Sequence, residues 1–144
     1  MLAMLAVLGF CFCGLGITVV LTLNYNRNGE QIARNVTIET DGEKNLGPYT
    51  VPGSGSLTIT QDIDVSAVKM IYFTSDLTVT MTTNDDGTPD DTFVITAGAP
   101  VVWCVDTGLP NPFKSTVDVT SFKLTKSGAG DATVNIKILY DSTP

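Results

Sequence analysis

The side chains that could do chemistry are few and mostly gathered in one place. Between Asn84 and Asp91 the sequence NDDGTPDD sets Asn84, Asp85, Asp86, Asp90 and Asp91 close together. Hard oxygen ligands at that density suit Ca²⁺, which takes about six to eight of them. The spacing points elsewhere, because no alternate-residue ladder leads to a terminal Glu as in an EF-hand loop. Asp and Asn also bond their own backbone in tight turns, Gly87 tolerates positive φ and Pro89 fixes the next bend. A turn is the expected role, and no metal is assigned to it.

The chain has no histidine. That removes the commonest general base, the commonest metal ligand and every Ser–His or Cys–His nucleophile pair. Ser and Thr hydroxyls are plentiful, but only six lysines could serve them as bases. No two acids stand out as a pair flanking a cleft, as glycoside hydrolysis would need. Cys11 and Cys13 form a C-x-C with only the distant Cys104 for company, which cannot complete a tetrahedral zinc site. The three thiols read as small hydrophobes. Trp103 could stack on a sugar, but a lone Trp in the short apolar run Val101-Val102-Trp103 reads as core. Asn35-Val36-Thr37 matches the glycosylation sequon, a match close to chance in a Thr-rich chain. No catalytic, cofactor or metal residue is assigned, and the chain is expected not to be an enzyme.

The elements that hold these residues follow from composition. Thr, Val and Ile together make 45 of 144 residues, and such side chains suit a pleated, half-buried surface. Glu, Lys and Arg, which usually cover helices, number 3, 6 and 2. With 43% apolar residues the chain is long and apolar enough to bury a core without metal or disulfide. A net charge of −7 excludes nucleic acid as a direct ligand, since no basic patch offsets it.

Turn signals recur at short intervals, as in antiparallel sandwiches and barrels. Strands are expected from Ile17 to Tyr25 and, after the hairpin signal Asn28-Gly29, from Ile32 to Thr40. The breakers Asp41-Gly42, Gly47-Pro48 and Pro52-Gly53 predict a loop from Asp41 to Gly55. Further strands are expected at Ser56–Asp62, Val68–Thr74, Leu77–Thr82, Thr92–Thr96, Val101–Val105 and Val117–Thr125. A last one carries Val134, Ile136, Ile138 and Tyr140. Val68–Thr74 is apolar on both faces, as befits a central strand. The expectation is an all-β chain: an antiparallel β-sandwich of eight or nine strands over residues 17–144, with the jelly roll as the architecture in view, preceded by an apolar extension over residues 1–16.

That extension carries no charge; the first charged residue is Arg27. Three readings stand. It is a secretory signal or membrane anchor, although no basic residue precedes its apolar run. It is an arm buried against a partner. Or translation begins near Leu15. An arm of this apolarity left in water would form a patch larger than a soluble monomer tolerates. Leu5, Leu8, Phe10 and Phe12 are accordingly the expected partner-binding residues, with a homo-oligomer as one outcome and the membrane left open.

The C-terminal half is similar to a known group. Pro89-Asp90-Asp91-Thr92-Phe93, then Ala97-Gly98-Ala99-Pro100 with Val102-Trp103, and the ending Ile136–Pro144 (IKILYDSTP) resemble small virion proteins encoded in the structural-gene clusters of tailed bacteriophages. The resemblance spans residues 68–144 and, more weakly, 17–67. It implies a non-enzymatic β-sandwich located in the virion, decorating or cementing the capsid shell, with the major capsid protein or other virion proteins as partners. It supplies no catalytic residues. The apolar extension departs from the group, whose members start close to their first strand. The alternative is a secreted or surface carbohydrate-binding or adhesion module.

Overall fold

The β-branched composition resolves into antiparallel strands joined by turns and one short 3-10 turn at Val65–Ala67. The computed structural model describes residues 5–13, 16–27 and 30–142, and for residues 5–13, 23, 25–27 and 30–33 the backbone alone. The strands are β1 (Leu5–Cys13), β2 (Gly16–Arg27), β3 (Glu30–Thr40), β4 (Gly42–Val51), β5 (Ser56–Ile63) and β6 (Val68–Ser75). They continue with β7 (Val79–Thr83), β8 (Thr92–Ile95), β9 (Val101–Cys104), β10 (Val119–Thr125) and β11 (Ala132–Tyr140). The chain is all-β and forms an antiparallel β-sandwich.

Two four-stranded sheets make the sandwich, in the orders β4-β11-β6-β9 and β5-β10-β7-β8. Alternation drives them together: Ile59, Ile71, Phe73, Val79, Met81, Ile95, Phe122, Leu124, Val134, Ile136 and Ile138 all turn into one core. Phe73 lies at its centre, with ring centroids 5.7 Å from Phe93 and 6.3 Å from both Phe113 and Phe122. Such offset and edge-on pairs add about 0.5–1.5 kcal/mol each beyond the area they bury. Trp103, half-buried on the edge strand β9, packs against the margin of the same cluster rather than inside it.

A third sheet, β1-β2-β3, lies outside the sandwich. Val19 and Leu21 of β2 and Val36 and Ile38 of β3 pack on Met70, Cys104 and Leu139, with Ile17, Tyr72 and Val102 at the margin. The latter group belongs to the outer face of β6, β9 and β11, whose inner faces carry the main core. The apolarity of Val68–Thr74 on both faces thus has a cause: β6 is covered on both sides. A register shift between Leu139 and Tyr140 leaves Lys69 without an opposite residue in β11 and returns Val68 to the inner core while Met70 faces the outer seam.

Two expectations change. The loop over Asp41–Gly55 is mostly strand β4, paired with β11 from Val51↔Ala132 to Gly42↔Tyr140. Its breakers sit at a bulge: Gly47, at φ 109, and Pro48 together oppose Asn135, between the pairs Leu46↔Ile136 and Tyr49↔Val134. β4 is an edge strand, where a residue without an N–H is tolerated. The strands expected at Ile17–Tyr25 and Ile32–Thr40 form, but in the third sheet rather than within the sandwich. Inside the apolar extension, Leu5–Cys13 is a strand that pairs residue for residue with β2, from Cys13↔Gly16 to Leu5↔Asn24. Asn28 and Gly29 lie outside the described residues; the register Arg27↔Glu30 on either side of them is that of a hairpin.

Candidate functional site

In the acidic loop between β7 and β8, the side chains of Asn84, Asp85, Asp90 and Asp91 are engaged in local structure, and Asp86 bonds through its backbone N–H to the Asn84 carbonyl at 3.1 Å. Asn84, at φ 48, is the hub. Its Oδ1 accepts from the Thr120 N–H at 2.7 Å, the Thr120 hydroxyl at 2.9 Å and the Ser121 N–H at 3.2 Å. Its Nδ2 donates to Asp90 Oδ2 and to the Asp118 carbonyl, both at 2.8 Å. Asp85 accepts from Lys123 Nζ at 2.8 Å and from the Gly87 N–H at 3.2 Å. The Lys123 contact, aided by that N–H, holds its carboxyl below the usual carboxylate range.

Asp91 is buried. Its Oδ1 accepts from the N–H groups of Lys114 and Ser115 at 2.9 and 3.2 Å, pinning the Pro-rich loop before β10. Asp85 and Asp91 are therefore drawn to different elements, while Asp90 stays within the loop on Asn84. Among the described residues, no three His, Cys, Asp or Glu side chains converge as a metal site would require.

Two depressions bring together residues with no local sequence signal. The first, about 280 Å³, opens at one end of the sandwich and is lined by Lys44, Asp62, Asp64, Ala67, Tyr140 and Asp141. Lys44 Nζ donates to the Asp62 carbonyl at 2.6 Å and stands 6.0 Å from the Tyr140 ring centre. That ring lies against Gly42, where a Cβ would collide with it. Asp64 Oδ1 accepts from the Ser66 hydroxyl at 2.7 Å and the Ser66 N–H at 2.9 Å, and the hydroxyl bond is the main cause of its lowered pKa.

The second is a groove of about 250 Å³ on the outer face of the β4-β11-β6-β9 sheet, beside the third sheet, lined by Asn45, Leu46, Tyr72, Asn135 and Lys137. Beside it, Glu43 accepts from Lys137 at 2.7 Å and from Asn45 at 2.6 Å. Partial burial alone would raise the Glu43 carboxyl; these bonds outweigh it and bring it below its ordinary value. Glu43, Asp64, Asp76 and Asp85 are all displaced downward. That is the direction of a structural acceptor and the opposite of a general acid.

The outer face of the other sheet presents Thr58 and Thr60 of β5, Thr80 and Thr82 of β7, Thr92 of β8, and Lys123 and Thr125 of β10. Lys123 stands in register between Thr58 and Thr82. It is a hydroxyl-rich surface, in contrast to the apolar one beneath the third sheet.

Comparison of the chain with protein families, with curated proteins and with solved structures returns no match. Of the expected partner-binding residues, β1 sets Leu5, Leu8, Phe10 and Phe12 in register with Asn24, Leu21, Val19 and Ile17, and their side chains lie outside the described residues. The side chains of Cys11 and Cys13 lie outside them too, while Cys104 is buried in the outer seam and burial raises its thiol pKa. Among the described residues, no helix is long and apolar enough to cross a membrane.

Proposed function

We propose that this chain is a non-enzymatic structural protein of a tailed-bacteriophage virion, seated on the capsid shell as a decoration or cement protein. The observation that carries the reading is the order of the eight sandwich strands. Counted from β4, the two sheets run first-eighth-third-sixth and second-seventh-fourth-fifth. We read that order as a jelly roll, an architecture shared by viral shell domains, lectins and cupins. The phage-like run from Pro89 to Trp103, on the end of the β7–β8 loop, β8, β9 and the turn between them, supports the viral member of that set. The use of carboxylates as turn and loop anchors supports a scaffolding role over catalysis. Partners would be the major capsid protein or other virion proteins, and the location the particle itself.

Mass spectrometry of gradient-purified particles, made by the genome that encodes the chain, is the test. The protein should co-purify in fixed stoichiometry to the major shell protein. Its recovery only in the particle-free lysate would overturn the reading. A carbohydrate-binding module is the second reading, favoured by the groove where Tyr72 stands beside Asn45 and Asn135. Glycan-array binding that Tyr72→Ala abolishes, with no particle association, would select it.

A further inference from the structure

Among the described residues the three sheets end in six edge strands, and five of them carry devices that discourage pairing with another strand. β8 and β9 are four residues long. β4 has Pro48, a bulge, Glu43 and Lys44. β5 carries Asp62 and a register break opposite β10, and β3 carries Glu30, Arg34 and Glu39. Short length, charge, Pro and bulges are the means by which sheets protect their edges.

β1 has none of them. Its nine residues, LAVLGFCFC, hold no charge and no Pro, and the register with β2 runs unbroken from Leu5↔Asn24 to Cys13↔Gly16. Among the described residues β2 is its only neighbour. An antiparallel strand with one neighbour turns alternate pairs of backbone N–H and C=O groups away from it. What satisfies such groups best is another extended strand.

We propose that β1 is a self-association edge: two copies of this chain pair β1 against β1 antiparallel across a two-fold axis, joining their outer sheets into one six-stranded sheet. Three features fit a second copy as the occupant. A two-fold axis makes identical strands antiparallel automatically, so one strand serves as both halves of the ladder. At net charge −7, approach of two copies is opposed over most of the surface, and an uncharged strand is where that repulsion is least. The joined sheet would end on β3 in each copy, where Glu30, Arg34 and Glu39 guard the edge, so the ladder closes at a dimer rather than growing. The inference goes beyond the virion reading and does not depend on it, since it concerns the purified chain alone.

The test is sedimentation equilibrium of the full-length chain over a wide concentration series, beside the variant Val7→Lys/Cys11→Lys. Those positions pair with the half-buried Thr22 and Thr18, not with buried Leu21 and Val19, so lysines there burden the edge more than the seam. The unaltered chain should sediment at twice its mass. The variant should sediment as a monomer with an unchanged far-UV circular dichroism spectrum. A wild-type monomer at every concentration overturns the proposal, as does a folded variant that still dimerises. If the variant fails to fold, hydrogen exchange of the unaltered chain decides. Amides of Leu5–Cys13 should gain protection with concentration, and protection independent of concentration overturns the proposal.

Discussion

The two apolar seams of this molecule are built differently. Between the sheets of the sandwich lie four phenylalanines in mutual contact, framed by aliphatic residues from strands far apart in sequence. Among the described residues, Val19, Leu21, Val36 and Ile38 lie between the outer sheet and the sandwich against Met70, Cys104 and Leu139, with Tyr72 at the margin. Polar ties differ too. The sandwich is laced by buried Asp91 and by Lys126, whose Nζ donates to the Gly128 and Ala129 carbonyls at 2.9 and 3.0 Å. The outer sheet reaches the β9–β10 loop through an exposed bond, Arg34 Nη2 to the Asp106 carbonyl at 3.0 Å. Among the described residues the outer seam is the smaller and has the fewer ties, and such a seam opens at lower free energy than a large one, so the outer sheet should be the first unit to separate.

Phe122→Ala should show the largest effect, because it removes a fully buried ring from the aromatic centre. A loss of about 3–5 kcal/mol is expected, as for other buried aromatics cut to Ala. Urea titration followed by tryptophan fluorescence and by circular dichroism should show both transitions moving together, Trp103 being packed on that core. Separate transitions would mean that the sandwich is not one unit.

Leu21→Ala, also fully buried, should cost less, about 2–3 kcal/mol, since the outer seam can relax around the gap. The loss should be confined. Hydrogen exchange should quicken in β2 and β3 while amides of β7 and β10 keep their protection. Equal quickening in all four strands would erase the distinction between the seams.

Acid should reach the sandwich through its carboxylate anchors. Asp64, Asp76 and Asp85 bind protons more weakly in the folded chain than at the ordinary value of 3.8, and Glu43 more weakly than at 4.5. Their contribution is therefore complete above those values and is lost as pH falls through the lower folded ones. With no histidine to titrate, the melting temperature should be nearly flat between about pH 6 and 8. It should drop on acidification below about pH 4. A steep change near neutrality in a calorimetric pH series would contradict this assignment.

The smallest expected effect belongs to Arg34→Ala, which severs an exposed bond between the outer sheet and the β9–β10 loop. Less than about 1 kcal/mol should be lost. Exchange at Asn35–Thr37 should nonetheless rise before that of the sandwich, and a global shift of the melt instead would assign Arg34 to the main fold.

The β-rich composition, the two-residue alternation and the turn residues already determine most of this chain: an all-β fold, the positions of most of its strands and the acidic run as a turn. These are local properties, readable because a strand half-buried on a pleated surface prints its two faces onto adjacent residues. Tertiary structure alone decided the rest. β4 is a strand because β11 pairs with it and absorbs Gly47 and Pro48 in a bulge, and no neighbouring residue signals that partner. The division of the strands into a sandwich and an outer sheet depends on which apolar face meets which. Val19 and Leu21 alternate no differently from Ile59 or Val79, yet they cover Met70 and Leu139 rather than the phenylalanine core. The cleft and groove join residues from opposite ends of the chain, Lys44 with Tyr140 and Asn45 with Asn135. Periodicity tells a side chain that it will be buried, but what buries it is fixed only when distant strands choose their neighbours.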